Sequence, residues 1–564
     1  MSLIDLIGKV VLVCDGATGT MIHSRGLPAG QCPEAWNLER PDVVQWVHRQ
    51  YVEAGAQMVE TNTLGATPIR LSHYGLGEKV REVNKAAVDN ARKAAGDRAL
   101  VAASMGPLGV MLEPMGDFAF DRAYEEFTAQ AKALRDSPPD FIIIETIGDL
   151  NEMRAAILAC KDHAPGIRII AQMTMDPSGR TFTGTDPVTA GLVLQSMGAD
   201  VIGFNCSTGP ELLVPAVEKM ASVARVPVSV QPNAGMPQLQ PDGSTKFPMG
   251  PEEFASYGPK MVAAGASIVG GCCGTTPEHI RRLCAAVAGL KPRQGAGPLG
   301  ETLGLASRTQ PLFIGPENRP VVFGSRIDAS ASGQLAGEMK AGVFSLVRKE
   351  AREQVRAGAQ ALFVSVGGSG AGPGPDEAAA LVKAVQAVQQ SCRVPVCIGS
   401  TSVAALDAGL KAFVGKALVS SFTLEKGSAE AILRVARRYG AAVGLTVADD
   451  GVPSSVEGCV EAARRLVTIA GSHGIPRWDV VIEPVLAGGA GQSAAEQIAG
   501  AIEAIHGKLG CRTCLGVAGN GRGAARNALD PELTAAAVAA GLDIVLADPL
   551  DERVMSAVKP TKTA

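Results

Sequence analysis

The sequence predicts an α/β protein built as two tandem (β/α)8 barrels. Three observations carry that expectation. Short β-rich runs alternate with amphipathic stretches whose apolar residues recur at helical spacing. The alternation reaches eight strand-helix units by residue 290, and after a Gly- and Pro-rich interval it reaches eight again. Size agrees: 564 residues, 46% of them hydrophobic, exceed one core, since single domains rarely pass ~250 to 300 residues.

Residues 1–290 form the first expected barrel. Its strands are read at "VVLVCDGAT", "QMVETNT", "ALVAASMGP", "DFIIIET", "IRIIAQMTM", "DVIGFNCS", "PVSVQPN" and "ASIVGGCCG", with helices such as "PDVVQWVHRQYVEAGA" between them. Residues 291–318, rich in Gly and Pro and without a sustained period, read as a linker. Residues 319–564 form the second barrel, with strands at "PVVFGSRI", "ALFVSVGG", "VPVCIGS", "ALVSSF", "AVGLTVAD", "DVVIEPV", "CLGVAGN" and "DIVLADP". "SGAGPGP" near residue 370 reads as a loop.

Composition narrows the function. Aromatics are only 4% against 66 glycines, which suits tight strand-turn-helix joints rather than an aromatic-cored sandwich. A net charge of -4 gives no basic surplus for nucleic acid. The N-terminal "MSLIDLIGKVVLVCDG" lacks the basic head and cleavage site of a signal peptide, and no segment offers ~18 uninterrupted apolar residues, so a cytoplasmic, non-membrane protein is expected. There the 12 cysteines are expected to be reduced, and a special cluster among them to be metal-binding or catalytic.

In a (β/α)8 barrel the C-terminal strand ends open on one face, where active sites lie. In the first half those ends carry Asp15, Glu60 with Asn62, Ser104, Glu145, Asn205 with Cys206, Asn233, and Cys272 with Cys273. Adjacent strand residues point to opposite faces, so Cys272 and Cys273 meet only if the backbone bends. Gly270, Gly271 and Gly274 of "GGCCGTTPEHI" permit that bend. With Cys206 from the sixth strand, three thiols converge, leaving a fourth position open as in a catalytic zinc site. The alternative is three inert, buried cysteines. A three-thiolate zinc is a weak Lewis acid but keeps a bound substrate thiol deprotonated, which points to alkyl transfer onto sulfur. A buried ammonium would need a carboxylate such as Glu145, and the "DGATGT" turn can offer N–H groups to a carboxylate. For Glu145 and Asp15, helix capping is the competing role.

"DGATGT", "ETNTLGA", "SMGP", "ETIGDL", "GFNCSTGP", "QPNAG" and "GGCCGTTPEHI" together closely resemble the homocysteine S-methyltransferase domain over nearly all of the first 290 residues. The resemblance implies Cys206, Cys272 and Cys273 as zinc ligands, with homocysteine sulfur as the fourth. It also implies Glu145, Ser104 and the Asp15, Gly16, Ala17, Thr18 turn around the amino acid, and Asn233 beside the metal.

The order of the two barrels, with "KEAREQVRAGAQALFVSV" and "LADPLDERVMSA" in the second, resembles the N-terminal half of the cobalamin-dependent methionine synthase family. There the second barrel is pterin-binding and carries methyltetrahydrofolate. Here its polar positions are replaced. "GERIN" is "GSRID" at Gly324 to Asp328, Asp-x-Asn is Phe363 to Ser365, and the strand-three aspartate is Gly399. Asn-Ser is Ser420-Ser421, Asp-Pro is Glu483-Pro484, and Ser-Asn is Ala518-Gly519. Asp328, Glu483 and Asn520 remain as candidate polar groups. The second barrel is therefore expected to bind methyltetrahydrofolate poorly and to serve as support or a docking face.

Cys511 and Cys514 form a lone C-x-x-C read as structural. The family's Asp-x-His-x-x-Gly corrinoid motif is missing, so a corrinoid is expected from a separate protein or domain. The leading expectation is a zinc-dependent homocysteine methyltransferase of methionine synthase type. The alternatives are direct transfer from betaine or S-methylmethionine, and a non-catalytic scaffold for a corrinoid protein.

Overall fold

A computed structural model describes residues 3–28, 30–239, 245–293, 299–367, 375–422, 429–448, 451–487, 492–516 and 531–558. The chain divides into two compact units, Met1–Pro298 and Leu299–Ala564. Among the described residues no helix is long and apolar enough to cross a membrane.

The first unit has the eight expected strands: Leu12–Val13, Met58–Glu60, Leu100–Met105, Phe141–Ile147, Arg168–Met173, Val201–Asn205, Val228–Gln231 and Ala266–Val269. Each lies parallel beside its sequence neighbour, and the eighth returns to the first. A parallel bridge between Cys14 and Met58 joins the first strand to the second. Helices cover the outside because their apolar residues lie on one stripe; Pro41–Glu53 buries Val43, Val44, Val47 and Tyr51. The barrel interior is a packed layer of Leu12, Met58, Phe141, Ile143, Ile170 and Ile268, against which Leu3, Ile4, Leu6 and Ile7 of the N-terminal turn close.

The strands of the second unit are Val321–Asp328, Ala361–Ser365, Val396–Gly399, Leu418–Phe422, Ala442–Thr446, Val480–Glu483, Arg512–Gly516 and Ile544–Ala547. They form a closed parallel barrel.

The linker expected over 291–318 is corrected for its second half. Leu303–Ala306 and Pro311–Ile314 pair as an antiparallel hairpin that belongs to the second unit. Its Leu303, Leu305 and Ile314 are buried in one cluster with Val321, Phe323, Phe363 and Leu418. Ala306 and Lys416 exchange backbone hydrogen bonds of 3.0 and 2.8 Å, and the buried Lys416 ammonium pairs with Asp479 at 2.5 Å. The hairpin thus takes the place that the N-terminal turn holds in the first unit.

Candidate metal and substrate site

The thiol-bearing segment after the eighth strand of the first unit is fixed mainly through its backbone. Gly271 N–H donates to Asp15 O at 3.0 Å, Cys272 N–H to Pro232 O at 2.8 Å, and Ala234 N–H to Cys273 O at 3.0 Å. Thr275 Oγ1 donates to Cys272 O at 2.7 Å and accepts from Ala17 N–H at 3.1 Å. The glycines divide the labour. Gly274 supplies a φ of +80°, whereas Gly270 allows close approach, since a Cβ there would lie 2.9 Å from Cys14 Cβ. The helix that follows, Pro277–Val287, begins with a Thr276–His279 capping box and proline in its first turn.

The structure brings the three predicted thiols together. Cys206 Sγ lies 3.8 Å from Cys273 Sγ, and Cys272 Sγ lies 4.0 Å from Cys273 Sγ. Three non-glycine residues among those described have positive φ: Thr146 at 61°, Cys206 at 59° and Ser207 at 57°. All three stand just beyond or at the strand ends of this site. Left-handed backbone costs of order 1–3 kcal/mol per residue and persists where surroundings impose it. Here it turns Cys206 toward the other two thiols.

The thiols hydrogen-bond to one another, which pushes them in opposite directions. Hydrogen bonds from Cys272 and Cys273 hold Cys206 down to about 3. Donating to Cys206 raises Cys273 to about 12 and Cys272 well above its ordinary range. Ionising all three needs a compensating cation, and three sulfurs within 4.8 Å of one another are a soft donor set of the right kind. Asn233, buried, donates to Cys206 and has an Oδ1 with no partner.

Beneath the thiols lies an acidic floor. Glu145 accepts from Ser104 Oγ at 2.6 Å and from Asn205 Nδ2 at 2.7 Å. Asp15 accepts from Glu60 N–H at 2.9 Å, and Glu60 from Gln231 Nε2 at 2.7 Å. Among the described residues no Lys, Arg or His pairs with Asp15, Glu60 or Glu145. Burial raises all three carboxyls, Glu145 to about 7.

Gly16, Ala17 and Thr18 edge the same opening, with Thr18 starting a short helix and its Oγ1 buried without a partner. A Cβ on Gly16 would lie 2.5 Å from Thr275 Oγ1. Ser104 is spent on Glu145 and acts through it. Asp15 and Glu145 cap no helix here, so the capping alternative fails for both. The sequence marks Glu60 as a strand-end residue without a role and Gln231 only as the first residue of "QPNAG", while Gln172, an ordinary strand residue, belongs to no motif.

The open end of the second barrel differs. Asp328 accepts from its neighbour Ser330, N–H at 2.9 Å and Oγ at 2.6 Å. Glu483 accepts from Thr446 Oγ1 at 2.8 Å. A Cβ on Gly399 would sit 2.5 Å from Phe363 Cε2, so the phenyl ring fills the space an acidic side chain there would need. Asn520, with Ala518 and Gly519, lies outside the described residues. Cys511 and Cys514 are both buried and not joined in a disulfide, and Cys514 packs in the barrel core, as the structural reading expects.

Residues 12–287 match the family described as homocysteine S-methyltransferase, and residues 337–548 the family described as pterin binding enzyme. The two matches fall one in each compact unit. Methionine synthase of Mycobacterium tuberculosis is 31% identical over 510 residues, covering 85% of this chain and 42% of that protein. Methionine synthase of Mycobacterium leprae is 31% identical over 512 residues with the same coverage. The chain therefore spans less than half the length of these curated relatives. Among solved structures, the metallated form of the homocysteine methyltransferase MmuM from Escherichia coli is 26% identical, covering 50% of this chain and 98% of its own, with a TM-score of 0.43.

Proposed function

We propose that the first unit is a zinc-dependent homocysteine S-methyltransferase of methionine synthase type, taking its methyl group from a corrinoid carried on a separate protein or domain. The observation that carries this reading is the meeting of three thiols, their sulfurs within 4.8 Å of one another, over a floor of three acids with no basic partner among the described residues. Cys206, Cys272 and Cys273 would hold zinc, which keeps a bound thiol deprotonated at neutral pH.

Glu145 takes the substrate ammonium, a positive partner that no described residue gives it. The Asp15 to Thr20 turn, with the unpartnered Thr18 Oγ1, takes the carboxylate. Asn233 keeps Cys206 oriented by its hydrogen bond. With both ends of the amino acid fixed, its sulfur points to the open end of the barrel. There the sulfur's electron pair forms the bond to the methyl carbon, and the donor keeps the pair of the bond that breaks. The thiol proton has already left to solvent.

The second unit, in this reading, does not bind methyltetrahydrofolate well. The Phe363 ring over Gly399 supports that. Metal analysis with homocysteine titration tests the whole: zinc that takes up the thiol with release of a proton, and methionine formed from methylcobalamin, are expected. Bound zinc inert to the thiol would leave a scaffold.

A further inference from the structure

The acid that the reading above leaves without a task is Glu60. It closes the second strand, and it is partly exposed inside a pocket where Asp15 and Glu145 are buried. Its aim is set from across the barrel. Gln231 Nε2 donates to Glu60 Oε1 at 2.7 Å. Gln231 can present only its NH2 there, because its Oε1 accepts from Gln172 Nε2 at 2.7 Å. Gln172 also donates to Ser229 Oγ at 3.0 Å. These amides are buried, and Gln172 Oε1 is left with no partner. A buried acceptor left unpaired costs about 1–3 kcal/mol, so the chain is held at some expense of stability.

The oxygens of Asp15 and Glu145 all receive donors from the fold, though the thiol contact to Asp15 Oδ1 is long, at 3.6 Å. Among the described residues no hydrogen bond reaches Glu60 Oε2, and Glu60 is one of the groups that act on the buried Glu145 carboxyl. Two neighbouring carboxyls cannot both ionise unless a positive group joins them, and an ammonium, with three N–H donors at one point, can take the place of the proton they otherwise share.

We infer that Glu60 is a specificity-determining residue that shares the substrate ammonium with Glu145, and that Gln231 and Gln172 are positioning residues that aim it. This rests on the homocysteine reading of the site. The consequence is selection for thiols that carry an α-amino group. Glu145 alone would hold an ammonium; the pair also penalises a ligand that leaves two carboxyls facing each other with nothing between.

The test is calorimetric titration of the zinc-supplemented full chain with L-homocysteine and with 4-mercaptobutanoate, which lacks the amino group. Glu60→Gln is expected to weaken homocysteine at least about tenfold, leave 4-mercaptobutanoate within about twofold, and keep wild-type metal content. Gln231→Leu is expected to shift the preference the same way by less. Glu60→Asp, which keeps the charge one methylene short, recovers part of the preference and carries the test if Glu60→Gln does not fold. Equal loss of both thiols, or an unchanged preference in a Glu60 variant, overturns the inference alone, provided the wild type prefers homocysteine. Wild type that binds neither thiol overturns the underlying reading and this one with it.

Discussion

The open ends of the two barrels have the same strand count and direction but opposite chemistry. In the first, polar side chains point inward and lean on one another: Ser104 on Glu145, Asn205 on Glu145, Gln231 on Glu60. Among the described residues none of these acids has a basic partner. In the second, the remaining acids are satisfied locally, Asp328 by Ser330 and Glu483 by Thr446, and Phe363 lies where a side chain on Gly399 would go. The lesson is about unmet demand. A site built for a ligand keeps groups that the fold alone leaves unsatisfied, and a scaffold does not.

The sharpest break of that comparison is at the thiols. Cys206→Ser, Cys272→Ser and Cys273→Ser are each expected to lower metal affinity by more than about 100-fold, since losing even an outer partner of a metal ligand costs 10–100-fold. Methionine formation falls with it, while circular dichroism stays that of wild type. The thiols stand at loop and strand ends, and all three are partly exposed, so their loss empties no core. A single mutant with full metal and full activity removes that residue from the site.

Next in size is Glu145→Gln, expected to weaken homocysteine by ~2 to 5 kcal/mol with metal retained. It also carries a pH signature. Burial raises the Glu145 carboxyl from its ordinary 4.5 to about 7. Below that pH the group is neutral and grips an ammonium less well, so wild-type affinity should fall as pH drops from 8 to 6 more steeply than loss of the thiol proton alone requires, and the variant should keep only the thiol's share of that fall. The ligand-free protein behaves in the opposite sense. Its native state holds a proton that the unfolded chain releases near 4.5, so this group's contribution to stability declines as pH rises from 4.5 through about 7. Titrations at three pH values and matching urea midpoints check both.

Much of this site was legible in the sequence, and the reason is chemical. Thiols and acids at strand ends are conspicuous because cores do not place them there, and the barrel count says the ends share a face. What could not be read depends on contacts between distant strands. The hairpin at Leu303–Ile314 hides in a Gly- and Pro-rich stretch because strands of four residues show too little alternation to register. The Gln172, Gln231 and Glu60 chain joins three strands by side-chain hydrogen bonds, for which sequence spacing holds no signal. Phe363 and Gly399 each read as a lost polar group; only the structure shows that they are one change, a ring moving into the room a missing side chain leaves.

That coupling sharpens the comparison at the second barrel. Methyltetrahydrofolate titrated into the full chain is expected to bind roughly two orders of magnitude more weakly than a complete set of pterin contacts would allow, counting two lost hydrogen-bond partners at ~1 to 3 kcal/mol each. Low-micromolar binding at the second unit would mean that other groups hold the pterin, and Glu483 with Asp328 would be the first to replace.

The smallest effect separates an acid kept for a ligand from one kept for the fold. Asp328 ends the first strand of the second barrel, where the resembling family has asparagine, and its carboxylate is already spent on the next turn through Ser330 N–H and Oγ. These are local hydrogen bonds on a partly exposed group, of the kind that stabilises a turn by about 1 kcal/mol net. Asp328→Ala should therefore lower the thermal midpoint of the second unit by about 2–4 °C. It should leave metal content, homocysteine affinity and any weak pterin binding unchanged. Glu145→Gln inverts that pattern at pH 7, with a large loss of ligand and, because an uncompensated buried charge is removed, no loss of stability in the ligand-free chain. If Asp328→Ala instead abolishes binding of any pterin while the midpoint holds, the second barrel also keeps an acid for a ligand, and the contrast between the two barrels is one of degree.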